Sequence, residues 1–106
     1  MISKELLSVV MGVEIYKIII LDNYIRYTLM EDYEDIAQDL YEINIFELAH
    51  KCKEWACKQG FLIGSNCRNG VTVTDINTHT ILNHFDVDFE DFTEFEIKAC
   101  QWLLDN

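Results

Sequence analysis

Apolar and polar positions along this 106-residue chain switch between a helical and an extended period, and each switch marks a change of element. Ser3 is placed to cap a short helix over residues 4–11, which Gly12 ends. Residues 13–21 are β-branched and aromatic, and Asp22-Asn23 supplies a two-residue turn into a returning strand over 24–30. The first of these strands carries apolar side chains on both faces: Val13, Ile15, Ile19 and Leu21 on one, Tyr16, Ile18 and Ile20 on the other. That pattern predicts a central strand, or one covered on both sides.

Residues 31–42 read as an acidic connector with a helical turn over 33–40. Asn44 then caps the clearest helix, residues 45–59, with Gly60 as its stop. At 100° per residue, Ile45, Leu48, Ala49, Cys52, Trp55 and Ala56 share one arc, and Glu47, Lys51, Glu54 and Lys58 lie opposite. A second hairpin follows, with strands over 61–68 and 71–76 joined by the strong turn pair Asn69-Gly70. A third strand over 78–85 and an acidic stretch over 86–91 lead to a last helix over 92–104. The predicted order is α-β-β-α-β-β-β-α. It describes an α+β fold, a mostly antiparallel sheet of about five strands with helices packed on it, in one domain spanning residues 1–106.

Half of the residues are apolar, enough for a core, which excludes a disordered acidic tail. Nineteen acids against eight Lys and Arg leave a net charge of −11. Like-charge repulsion opposes direct binding to nucleic acid or to an anionic membrane, and neither is expected as a partner. The opening Met1-Ile-Ser-Lys-Glu-Leu-Leu lacks the apolar run of a signal peptide, and the apolar run at 18–21 is too short to span a bilayer. With four cysteines and no disulfide framework, the expectation is a reduced, cytoplasmic protein.

His79 and His84 have opposite parity on an extended strand, and Cys52 and Cys57 project to different sides of their helix, so neither pair makes a zinc site. The acidic run from Asp86 lacks the glycine and glutamate of a calcium loop. A cysteine nucleophile needs an electropositive setting that this charge balance opposes. No phosphate loop, serine elbow or metalloprotease motif occurs. The expectation is a protein that is not an enzyme and takes no metal or cofactor.

The distribution of acids is the strongest signal. Glu31, Asp32, Glu34, Asp35, Asp39 and Glu42 crowd one segment, and Asp86, Asp88, Glu90, Asp91, Glu94 and Glu96 another, with no Lys or Arg inside either block. Such blocks repel themselves, which points to a compensating use, although an acidic face also serves solubility alone. Alternate residues of a strand set carboxylates ~6.6 Å apart, against one phosphate charge per ~1.7 Å of duplex axis. Asp86, Asp88 and Glu90 have that alternation. The candidate partner-binding residues are therefore Glu31, Asp32, Glu34, Asp35, Asp39, Asp86, Asp88, Glu90, Asp91 and Glu94. Tyr33 and Phe89 join them as aromatic anchors, whereas Phe92 and Phe95 have core spacing.

The segment Tyr41-Glu-Ile-Asn-Ile-Phe-Glu-Leu-Ala-His-Lys-Cys-Lys-Glu-Trp-Ala56, with the closing Ile97-Lys-Ala-Cys-Gln-Trp-Leu-Leu104, resembles small uncharacterised proteins of Campylobacter- and Helicobacter-type bacteria and their prophages. The resemblance implies a bacterial or phage setting and a shared scaffold, and it carries no site residue. The function expected is a phage- or prophage-type inhibitor, of anti-CRISPR or anti-restriction class, that occupies a basic nucleic-acid-binding groove of a host protein. The alternative is a small accessory or regulatory subunit that binds a protein through apolar surface, with a homodimer as one form.

Overall fold

A computed structural model describes residues 2–32, 41–66, 68, 70–87 and 92–106, with Asp32 described by its backbone alone. The order is α1 (Lys4–Met11), β1 (Ile15–Ile20), β2 (Tyr24–Leu29), a 3-10 turn (Met30–Asp32), β3 (Tyr41–Asn44), α2 (Ile45–Lys58), β4 (Phe61–Asn66), β5 (Gly70–Asp75), β6 (Ile81–Phe85) and α3 (Phe92–Asp105). The α+β class stands, with two corrections. A strand, β3, lies where the acidic connector was expected to end. The strands form two three-stranded antiparallel sheets, β1-β2-β3 and β4-β5-β6, in place of one sheet of about five strands. The chain thus repeats one pattern, a helix followed by a three-strand meander, and closes with a third helix.

Local chemistry fixes the helix ends. The Ser3 hydroxyl accepts from the Leu6 amide at 3.1 Å, and Asn44 Oδ1 accepts from the Glu47 amide at 2.8 Å. Gly12 takes the left-handed conformation (φ 71°) and donates its amide to the Ser8 carbonyl. The apolar arc of α2 buries Leu48, Ala49, Cys52 and Ala56 and half-buries Ile45 and Trp55.

The expectation that β1 is central fails: it is one of the two outer strands of its sheet, and Tyr16, Ile19 and Ile20 are exposed. A bulge explains how it still feeds the core. Ile15 pairs with Leu29 and Lys17 with Thr28, so Tyr16 is an extra residue. Tyr16 and Lys17 both oppose Thr28, and the alternation resets. Ile15, Ile18 and Ile20 then share the inner face with Ile25 and Tyr27, which strict alternation forbids. β6 has a similar irregularity at Leu82, between the Val73–Asn83 and Thr74–Ile81 pairs. His79 precedes β6, in the turn, with φ 59°.

One core joins the layers. Leu6 and Leu7 of α1, the inner residues Ile15, Ile25 and Ile43, the α2 arc, Ile63, Val71 and Val73 of the second sheet, and Ile97, Ala99 and Cys100 of α3 are all buried in one cluster. Phe92 and Phe95 pack against it, half-buried.

Gly70 opens β5 at φ 70°, and a Cβ there would overlap the Phe85 carbonyl oxygen on β6. Gly12 has a similar φ, but a Cβ would meet open space. Gly12→Ala is therefore expected to cost only the left-handed penalty, about 1–2 kcal/mol, and Gly70→Ala about 3 kcal/mol or more because β6 must also shift. Urea denaturation with an unchanged m-value checks both.

Candidate interaction surface

The β1–β2 hairpin separates the described acids into two ends. At its turn, exposed Asp22 faces Glu94 of α3 across a cavity that both help to line. At its open end, where the Met30 amide donates to the Glu14 carbonyl at 3.0 Å, Glu14 and Glu31 line a shallower recess with Val13, Leu29 and Met30. Five steps of strand, about 17 Å at 3.4 Å per residue, lie between the ends. Glu31 and Glu94 therefore do not meet. Asp86 stands apart again, just past β6, with its side chain 98% exposed and Oδ1 3.6 Å from His84 Nε2. Asp32 closes the 3-10 turn. Tyr33, Glu34, Asp35, Asp39, Asp88, Phe89, Glu90 and Asp91 lie outside the described residues.

Two acids that sequence reasoning left aside join these ends. Glu14 and Asp22 are isolated in sequence, and only the hairpin sets them beside Glu31 and Glu94. The Asp22-Asn23 turn was the available signal for the second pairing.

Among the described residues three block acids have a Lys or Arg partner, and for Glu94 it is Lys98, whose Nζ lies 3.7 Å from Oε1. Glu42 on β3 accepts from Arg26 Nε on β2 at 2.8 Å, in cross-strand register, and this bond raises the Arg26 pKa. Glu96 belongs to the interior: its side chain is 12% exposed, and Oε2 accepts from Ser65 Oγ at 2.7 Å and from Lys53 Nζ at 3.1 Å. This carboxylate ties α2, α3 and β4 together. The Ser-Glu-Lys grouping could suggest a nucleophile and a base, but both donors converge on one oxygen, which is the geometry of a satisfied buried charge. On the wet side of α2, Glu54 turns back one turn to His50 Nε2 at 2.6 Å.

Cys52 and Cys100 are fully buried where α2 meets α3, and Cys100 Sγ donates to the Cys52 carbonyl at 3.5 Å. Hydrogen bonding with the Cys52 thiol, and then burial, push the Cys100 thiol far above its ordinary 9.0. That is the opposite of an activated thiolate. Cys57 is exposed. Among the described residues no three His, Cys, Asp or Glu side chains gather as metal ligands. No helix among the described residues is long and apolar enough to cross a membrane.

No family model, curated protein or solved structure matches this chain.

Iodoacetamide labelling followed by peptide mass mapping should modify Cys57 readily and Cys52 and Cys100 on the order of 10²-fold more slowly or less, since the buried pair needs unfolding to react. The raised Cys100 pKa also fixes a sign. Its contribution to stability is whole below the unfolded value near 9.0 and declines as pH rises past it, because the unfolded chain ionises first. Urea midpoints measured at pH 8 and pH 10 should fall, and fall less in Cys100→Ala.

Proposed function

We propose that this chain is a non-enzymatic acidic binding protein that acts in a bacterial cell as a phage- or prophage-type inhibitor of anti-CRISPR or anti-restriction class. Its carboxylates would occupy a basic groove that otherwise holds DNA or RNA. The observation that carries this reading is a charge excess that the protein cannot satisfy internally. Nineteen acids face eight Lys and Arg, so at least eleven carboxylates have no cationic side chain of their own. Lys53, Arg26 and Lys98 are already engaged by Glu96, Glu42 and Glu94. Exposed carboxylates at Glu14, Glu31, Asp22, Glu94 and Asp86 give the partner several points of attachment. A positive groove neutralises such a surface and is steered to it over a Debye length, about 10 Å at 0.1 M salt.

A second reading has its own observation. On the outer face of the β4-β5-β6 sheet, Leu62, Thr74 and Ile81 form one cross-strand row, with Leu62 55% and Ile81 60% exposed. An accessory subunit that binds a protein partner, or a second copy, through apolar surface would use such a row.

Reversal of Asp86, Asp88, Glu90 and Asp91 to lysine should abolish partner capture from a host lysate and leave the circular dichroism spectrum unchanged. Capture by the native chain should be lost at high salt and competed by DNA or RNA. Salt-resistant capture that survives the reversal and is lost in Leu62→Ser/Ile81→Ser would decide for the apolar reading.

A further inference from the structure

The cavity at the turn end of the β1–β2 hairpin is a second site, independent of the charge-based reading above. It has a volume of about 510 Å³, within the range of about 300–1,000 Å³ that holds small molecules. Its walls are aliphatic: Ile2, Ile20, Leu21, Ile25, Ile45 and Ile97. The fold explains why it stays open. Ile20 and Ile25 are cross-strand partners on the inner face, but β1 is an outer strand, so nothing of its own sheet continues the row beyond Ile20. Ile25, Ile2 and Ile97 are buried at the floor and Ile20 is half exposed at the wall, so the cavity is a mouth of the core rather than a surface dimple. Unfilled space among aliphatic side chains forfeits dispersion contacts that a bound apolar group restores.

Polar groups stand only at the rim, and they are unequal in sign. Asp22, Glu94 and Lys98 are the charged residues there. Lys98 is engaged on two sides, with Nζ 3.7 Å from Glu94 Oε1 and 4.4 Å from the centre of the Phe95 ring. Asp22 has no ion-pair partner among the described residues. The rim is therefore one negative charge in excess, on a chain of net charge −11. An anionic amphiphile would have to draw Lys98 from both of its contacts and sit beside two carboxylates. A cationic one meets Asp22 directly.

We propose that this cavity binds a small amphiphilic ammonium compound, with its aliphatic or aromatic body among the isoleucines and its ammonium at Asp22 and Glu94. The test uses the full chain and three probes that share one eight-carbon chain: n-octylammonium, 1-octanol and octanoate. Binding is read from isoleucine methyl NMR shifts. The expected result is a saturable shift of the Ile20, Ile25 and Ile97 methyls with octylammonium, at an affinity on the order of tenfold above that for octanoate, with octanol between. Asp22→Asn/Glu94→Gln should bring octylammonium down to the level of octanol while octanol itself binds as before. Ile20→Phe, at the exposed wall, should weaken all three. Octanoate binding as tightly as octylammonium, a preference that survives in the double variant, or shifts that do not saturate at these isoleucines would each overturn the proposal.

Discussion

The close approach of α2 to α3 is the constraint on which the rest of the structure depends. Each sheet has only three short strands and a helical cover on one face, which is near the lower limit of independent stability. Facing small side chains let the two helices meet closely: Ala49, Cys52 and Ala56 on α2, Ala99 and Cys100 on α3, all buried. The Cys100 thiol reaching the backbone carbonyl of Cys52 measures that closeness. Through this contact, the helix that follows the first meander packs against the helix that follows the second, and two marginal layers become one core. Larger side chains here would push the sheets apart before they filled any space.

The Lys53–Glu96–Ser65 group stands beside that contact and shows how an acid-rich chain handles burial. Glu96 closes the second acidic block in sequence, yet it serves the interior, because α3 turns it toward α2 and β4, where two donors wait. Its neighbour two residues earlier, Glu94, looks outward over the cavity. The periodicity of one helix thus divides a single run of acids into a structural and a surface member.

Much of the fold could be read from local chemistry. Ser3, Gly12 and Asn44 act within a few residues of themselves, and the elements they bound lie close to the expected limits; Asn69 of the expected Asn69-Gly70 turn lies outside the described residues. What could not be read depends on long-range pairing. β3 has four residues, Tyr-Glu-Ile-Asn, of which only Ile43 is buried, and it is a strand because β2 lies beside it. Nothing in the pattern of strands tells that α2 carries the chain from one sheet to another. The apolar side chains on both faces of β1 suggested cover on both sides, whereas the bulge at Tyr16 turns most of them to one face. The candidate site was legible as composition but not as place: the acids that line one recess together, Asp22 with Glu94 and Glu14 with Glu31, come from different segments, and neither recess has a sequence signature.

The two bulges have an effect beyond register. β1 and β6 are outermost in their sheets, and each carries exposed branched side chains: Ile19 and Ile20 on one, Ile81 and Leu82 on the other. A flat strand of that composition at a sheet margin is a template for strand addition by another molecule and for fibril growth. An extra residue at Tyr16, with Lys17 beside it, and another at Leu82 break the even spacing of amides and carbonyls that such a template needs. Along β1 and β6 the protein can therefore keep apolar surface available to a partner that reads side chains, while offering no evenly spaced backbone at those two margins for a copy of itself to zip against.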